Sequence, residues 1–246
     1  MAALIKKLRD SPALVRVVPF IIFLGITMLQ GQFGEASRYW LYLGKTIAGV
    51  GLVWAMRPYV KELRWAFSWE AVVVGVAVCV MWVGIDGCYP SLAQINQDYI
   101  YPILKFIGLD KWFAKPVAAI PPPWNPLVQF GAGPLAWVFI VGRILGSSII
   151  VPPLEEVFYR SFLYRYIVKP DFMAVSLGTF QLMAFLATAA VFGFSHYEWL
   201  AGIPCGFAYQ WLALRKNRLG DAMTAHAITN FLLGLWVVWR GAWHFW

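Results

Sequence analysis

The chain has 246 residues, of which 61% are hydrophobic and 13% charged, and its formal net charge is +8. That composition excludes intrinsic disorder, which needs few apolar residues and many charges, and it leaves too few charges to cover an ordinary soluble domain. With a mean hydropathy of +0.65, the expected class is an all-α polytopic membrane protein, and its basic excess reads as cytoplasmic-loop Lys and Arg rather than as a nucleic-acid surface.

A span needs about 20 mostly apolar residues. The first candidate covers 15–33. Lys6, Lys7, Arg9 and Arg16 surround its start as in a signal peptide, but no small-x-small cleavage pattern follows, so it reads as an uncleaved anchor. The second, 40–56, is interrupted by Lys45, and the third is 71–85. A long mixed stretch, 86–133, carries Pro121-Pro122-Pro123 with Tyr99, Tyr101, Trp112 and Trp124, which suits an interfacial or re-entrant segment.

The fourth apolar stretch, 134–167, is too long for one straight span and contains Pro152-Pro153. Proline removes a backbone donor and disfavours helix in the residue before it, which predicts a break there and a new helix from about Pro153. Three more spans follow at 173–194, 199–214 and 220–239. The sum is about seven transmembrane helices, eight if the long stretch dips into the membrane. The chain divides into N-terminal spans with the long loop (1–130) and a C-terminal core (131–246).

Lys6, Lys7, Arg9, Arg16, Arg57, Lys61, Arg64, Arg165, Lys169, Arg215, Lys216 and Arg218 fall on one side. Only Arg38, Lys105, Lys111, Lys115 and Arg240 fall on the other. This bias predicts a cytoplasmic N-terminus. Cys79, Cys88 and Cys205 form no CxxC and are too few for a disulfide framework.

Charges within spans cost about 2.5–3.5 kcal/mol each on insertion scales, so each needs a reason. The densest group is Glu155-Glu156-Val157-Phe158-Tyr159-Arg160. Glu156 and Arg160 stand i,i+4 and can pair; Glu155 points about 100° away. If a helix starts at Pro153, both acids also sit in its first turn, where free N–H groups favour carboxylates. Taken alone, the group is equally explained as a tie between helices.

Two further features lie in or beside spans: His196 at the end of Phe192-Gly193-Phe194-Ser195-His196, and His226 with Asn230, which share a helix face. A lone membrane histidine is more often a helix–helix hydrogen bonder than a catalyst. Two of them, with an unpaired Glu and an Asn, point to chemistry. His244, in a Trp-rich tail, reads as interfacial. Ser195 has no visible partner beyond His196 and makes a poor nucleophile.

In this order, Glu155-Glu156-x-x-x-Arg160, Phe192-x-x-x-His196 and His226-x-x-x-Asn230 resemble the motif set of the CAAX prenyl endopeptidase and bacteriocin-processing family (CPBP, or Abi). The resemblance runs from about Gly131 to Trp239 and implies a glutamate-dependent intramembrane protease. The chemistry agrees: peptide hydrolysis needs a base for water and donors for the oxyanion. Glu155 is the base and His196 orients the water or carries its proton. His226 and Asn230 donate to the oxyanion, and Glu156 with Arg160 supports them. Partial burial would raise the Glu155 pKa and a helix N-terminus would oppose this.

The rival mechanism is a zinc site with Glu155, His196 and His226 as ligands and one open position, although there is no HExxH. Bacterial relatives are often described as metalloproteases; the metal-free mechanism is favoured. The resemblance further implies membrane lipids and a membrane-bound or prenylated peptide as partners, a bacterial inner-membrane location, and a link to an exosortase-type protein-sorting system. Prenyl-CAAX cleavage in the cytosolic leaflet is the archetypal activity. Two other classes compete: a non-catalytic immunity or scaffold protein of the same family, and a transporter using Lys45, Arg143, Glu155, Glu156 and His196 as an ion path. The transporter lacks the matched pair of broken helices it would need. Counted along the spans at 1.5 Å per residue, His226, Glu155 and His196 fall at depths of roughly 10, 20 and 30 Å, so a single site requires tilted or protruding spans.

Overall fold

A computed structural model describes residues 10–112 and 123–246. Lys6, Lys7, Arg9, Lys115, Pro121 and Pro122 lie outside the described residues. Among the described residues there are helices and turns and no strand. Seven main helices of 13 residues or more follow one another among the described residues: α1 (Pro12–Met28), α2 (Glu35–Met56), α3 (Trp69–Gly84), α4 (Pro134–Val168), α5 (Leu182–Phe194), α6 (Trp199–Lys216) and α7 (Gly220–Arg240). Their starts carry local signals. Ser11 and Ser68 accept the Leu14 and Ala71 N–H groups, and Pro12 stands in the first turn of α1, where its missing donor is not needed. The 86–133 stretch holds a helical run over 92–106 and a short helix, Pro126–Phe130.

Two expectations are corrected. The helix does not break at Pro152-Pro153. It runs through, because Gly146–Ile150 is a π-helical turn in which the Val151 N–H reaches back to the Gly146 carbonyl. The wider turn absorbs the missing proline donors and the ring clash that would stop a regular helix. Glu155 and Glu156 are therefore mid-helix, without free N–H groups of a helix start around them. The fifth helix begins at Leu182, not near residue 173. The residues before it are held as a polar turn: the Gly178 N–H donates to Asn217 Oδ1 (2.7 Å), Tyr164 Oη donates to the Thr179 carbonyl (2.9 Å), and Gln181 caps the new helix.

The helices meet at two ends. At one end α1 starts, α2 and α4 finish, and α7 starts. There Lys216 pairs with Glu70 (2.7 Å), Thr224 donates to the Ala66 carbonyl (2.7 Å), and Arg16 and Arg165 converge on Glu62. Arg16 and Arg165, read from sequence as loop cations, are buried inside helices. At the other end, Trp199 Nε1 donates to the Pro90 carbonyl (3.0 Å), His244 meets Asp86 (2.8 Å), and Trp124 packs on Tyr39.

Close helix contact depends on glycine. A Cβ on Gly75 of α3 would lie 2.7 Å from the Ala225 carbonyl oxygen of α7, and one on Gly202 of α6 would lie 2.8 Å from Gly193 Cα of α5. Small residues let backbones approach in this way where apolar helices associate. The outward side chains are apolar: Ile21, Ile47, Trp54, Val73, Val80, Val138 and Met183 are all exposed. Two helices, Pro134–Val168 and Gly220–Arg240, are long and apolar enough to cross a membrane, and α1, α3 and α5 are apolar but shorter.

Candidate active site

Glu155, His196, His226 and Asn230 line one cavity of ≈ 170 Å³. They arrive from α4, from the turn after α5, and from α7. The depth difficulty disappears because α5 is short. From Leu182, His196 is about 21 Å along, and from Val168, Glu155 is about 20 Å along. His226 is only about 9 Å into α7, whose first residue, Gly220, packs directly on the Arg64–Ala66 backbone.

Glu156 is fully buried and turns away from the cavity. Its Oε1 accepts from His226 Nδ1 (3.0 Å), and its Oε2 pairs with Arg160 Nε (3.2 Å), the i,i+4 pairing expected from the sequence. The His226 ring also stacks on Tyr209, with centroids 4.9 Å apart, and Tyr209 Oη donates to Thr229, which in turn donates to the Gly75 carbonyl. The ring is thus fixed in plane and direction, with Nδ1 committed to Glu156.

His196 is fixed differently. It caps the last turn of α5, and its Nδ1 donates to the Phe192 carbonyl (2.7 Å), while Trp82 and Phe192 rings flank it. With Nδ1–H committed, Nε2 of the neutral ring is a free lone pair, the position that can accept from water. Ser195 donates its hydroxyl to the same carbonyl (2.7 Å) and accepts from Tyr159, so its oxygen is engaged structurally. Asn230 spends one amide hydrogen on the Ser147 carbonyl (2.8 Å), leaving the other.

Glu155 differs from the two histidines and Asn230. Its Oε2 is buried with no hydrogen-bond partner among the described residues. A buried carboxylate oxygen left in that state costs free energy.

Glu155, His196 and His226 share the cavity, but among the described residues no three His, Cys, Asp or Glu side chains are gathered closely enough to hold a metal ion. Cys79 and Cys205 are buried and Cys88 exposed, all as free thiols.

The cavity also contains residues that motif reading missed. Arg143 lines it with Tyr42 and Trp246, and its guanidinium lies 4.7, 4.6 and 5.3 Å from the Tyr42, Trp124 and Trp246 ring centres. The signal was an arginine within a span. Nothing in the sequence linked it to rings about 100 residues away on either side. Lys45, the other intramembrane cation, donates to Thr27 Oγ1 (3.1 Å) and lies over the Phe23 and Tyr42 rings. Glu198 stands at the rim, where burial pushes its carboxyl above the ordinary value against the opposing charge of His244.

No curated protein and no solved structure matches the chain. Residues 136–232, which hold the Glu155-Glu156-Arg160 group, His196, His226 and Asn230, match the family described as type II CAAX prenyl endopeptidase Rce1-like, so this part of the chain is similar to that family.

Proposed function

We propose that the protein is an intramembrane endopeptidase in which Glu155 and His196 activate water. The seven main helices span the bilayer, and the peptide bond of a lipid-linked or membrane-associated substrate enters the cavity between α4, α5 and α7. The observation that carries this reading is the unpartnered Glu155 carboxylate oxygen, placed in one cavity with two histidines whose Nδ1 atoms are already committed.

A water between Glu155 and His196 Nε2 donates one proton toward each. As its oxygen attacks the carbonyl carbon, Glu155 takes a proton and the carbonyl oxygen gains charge. The free amide hydrogen of Asn230 and the Nε2–H of His226 receive that charge. His226 donates from Nε2 only when both ring nitrogens carry protons, with Nδ1–H held by the Glu156 carboxylate. When the C–N bond breaks, the proton held by Glu155 passes to the leaving amine, directly or through His196. Arg160 holds Glu156 in place and supplies the compensating charge.

The test is cleavage of quenched peptides, prenylated and plain, by purified protein in detergent. Loss of cleavage in Glu155→Gln, with no effect of chelator, supports the reading. Unchanged cleavage in that variant overturns it. Cleavage abolished by chelator and restored by zinc would instead move Glu155, His196 and His226 to ligand roles, the metal-dependent alternative.

A further inference from the structure

The cavity has a direction. Arg143, Ser147, Val151 and Glu155 line it at intervals of four residues on α4. It therefore follows that helix for about 18 Å from Glu155 toward Pro134. On α7 the lining runs the same way, from His226 through Asn230 and Leu233 to Phe245 and Trp246 beyond the helix end. Trp82 and Glu198, which also line the cavity, lie near the end of α3 and in the turn after α5, and Tyr42, Phe192, Cys205 and Tyr209 line it from α2, α5 and α6. No residue of the 57–68, 169–181 or 217–219 connections lines the cavity.

Toward those connections the path is shut. Glu156, Tyr159, Arg160, Ser161 and Tyr164 are buried beneath Glu155. Below them, Arg16 and Arg165 close around Glu62.

The two ends also differ in charge. The closed end carries Arg57, Lys61, Arg64, Lys169, Lys216 and Arg218. The open end carries acids close to the mouth, Asp86 and Glu198, and fewer cations: Arg38 and Arg240 at helix ends, and Lys105 and Lys111 in the long 86–133 stretch. Lys and Arg are retained on the cytoplasmic side of membrane proteins. We propose that the closed, basic end faces the cytoplasm and that the catalytic cavity is reached from the opposite, non-cytoplasmic face. On the protease reading, which this inference deepens, the substrate is then an extracytoplasmic peptide segment of an exported or membrane-anchored protein, and a prenylated tail in the cytosolic leaflet does not reach Glu155.

Thiol accessibility tests this without any cleavage assay. Native Cys88 is exposed in the connection after α3, at the open end, whereas Cys79 and Cys205 are buried. Cys205 also lines the cavity, so the background is Cys88→Ser with Cys205→Ser: in it Lys169→Cys reports the closed end and Leu233→Cys reports the cavity wall. Intact cells expressing each form are treated with a membrane-impermeant maleimide, or for Leu233→Cys a small charged methanethiosulfonate, before and after permeabilisation. The expected result is modification of Cys88 and Leu233→Cys in intact cells, and of Lys169→Cys only after permeabilisation. Modification of Lys169→Cys in intact cells overturns the proposal, whether Cys88 is protected or reacts equally. Protection of Leu233→Cys until permeabilisation overturns the direction of the cavity, even if Cys88 reacts. Because no readout requires hydrolysis, a failed orientation and a failed protease assignment remain distinguishable.

Discussion

Two polar clusters sit little more than one turn apart on α4, and they are completed in opposite ways. In the lower one, Arg16 gives Nε and Nη2 to Glu62 and Nη1 to the Pro12 carbonyl, and Arg165 reaches Glu62, Ser161 and the carbonyls of Ser161 and Val175. Ser161 bonds Glu62 as well. Every charged group there has partners. In the upper one, Glu155 Oε2 has none, and Arg160 has no aligned hydrogen bond on any of its three nitrogens, only the Glu156 ion pair and the Phe192 and Tyr159 rings. A fully satisfied buried network holds helices in register. An incompletely satisfied one costs stability, and folds tolerate that cost where the open valences are used.

The contrast is broken most decisively by Glu155→Gln. Cleavage is expected to fall about 10²–10⁴-fold, the range for losing a general base, while the melting temperature in detergent holds or rises because a buried unpartnered carboxylate is gone. A large drop in melting temperature with cleavage retained would place Glu155 with the structural cluster. Asn230→Ala is next: kcat should drop about 10²–10³-fold with little change in KM, as for loss of one oxyanion donor.

Arg16→Met probes the other cluster. It is expected to cost about 3 kcal/mol of stability, the low end for removing one partner of a buried ion pair, measured by denaturant titration. Cleavage per folded molecule should be unchanged. The smallest effect is on pH. Burial pushes the Glu62 carboxyl up, but the Ser161 hydroxyl and the Arg16 guanidinium outweigh it and hold the carboxyl below its ordinary value of 4.5. A lowered pKa in the folded state means stability that is present above that ordinary value and lost as pH falls through the folded one. Melting curves taken from pH 6 downward should show an acid-side decline beginning near 4.5, and Glu62→Gln should flatten it.

The sequence reading went furthest where a single helix sufficed. Glu156–Arg160 is a spacing property, and it forms as expected. The reading erred at Pro152-Pro153, where a π-helical turn just upstream carries the helix onward, and at 173–181, where apolar residues are drawn into a turn by Asn217 and Tyr164, side chains distant in sequence. The second error mattered more, since it placed His196 too deep for one site.

What the sequence determined by itself was the class of chain, the helical periodicity and the set of residues too polar for their surroundings, because each of these rests on composition and local spacing. The tertiary structure decided which of those residues meet. The packing of α7 on α4, with Gly234 against Ile144, brings His226 to Glu156, and the packing of α5 on α6 through Gly193 and Gly202 holds the turn that carries His196. Only the folded chain distinguishes the satisfied charges around Glu62 from the open carboxylate of Glu155. Partnership between groups far apart in sequence is a property of contacts, and contacts are set by how whole helix faces fit rather than by the residues that end up touching.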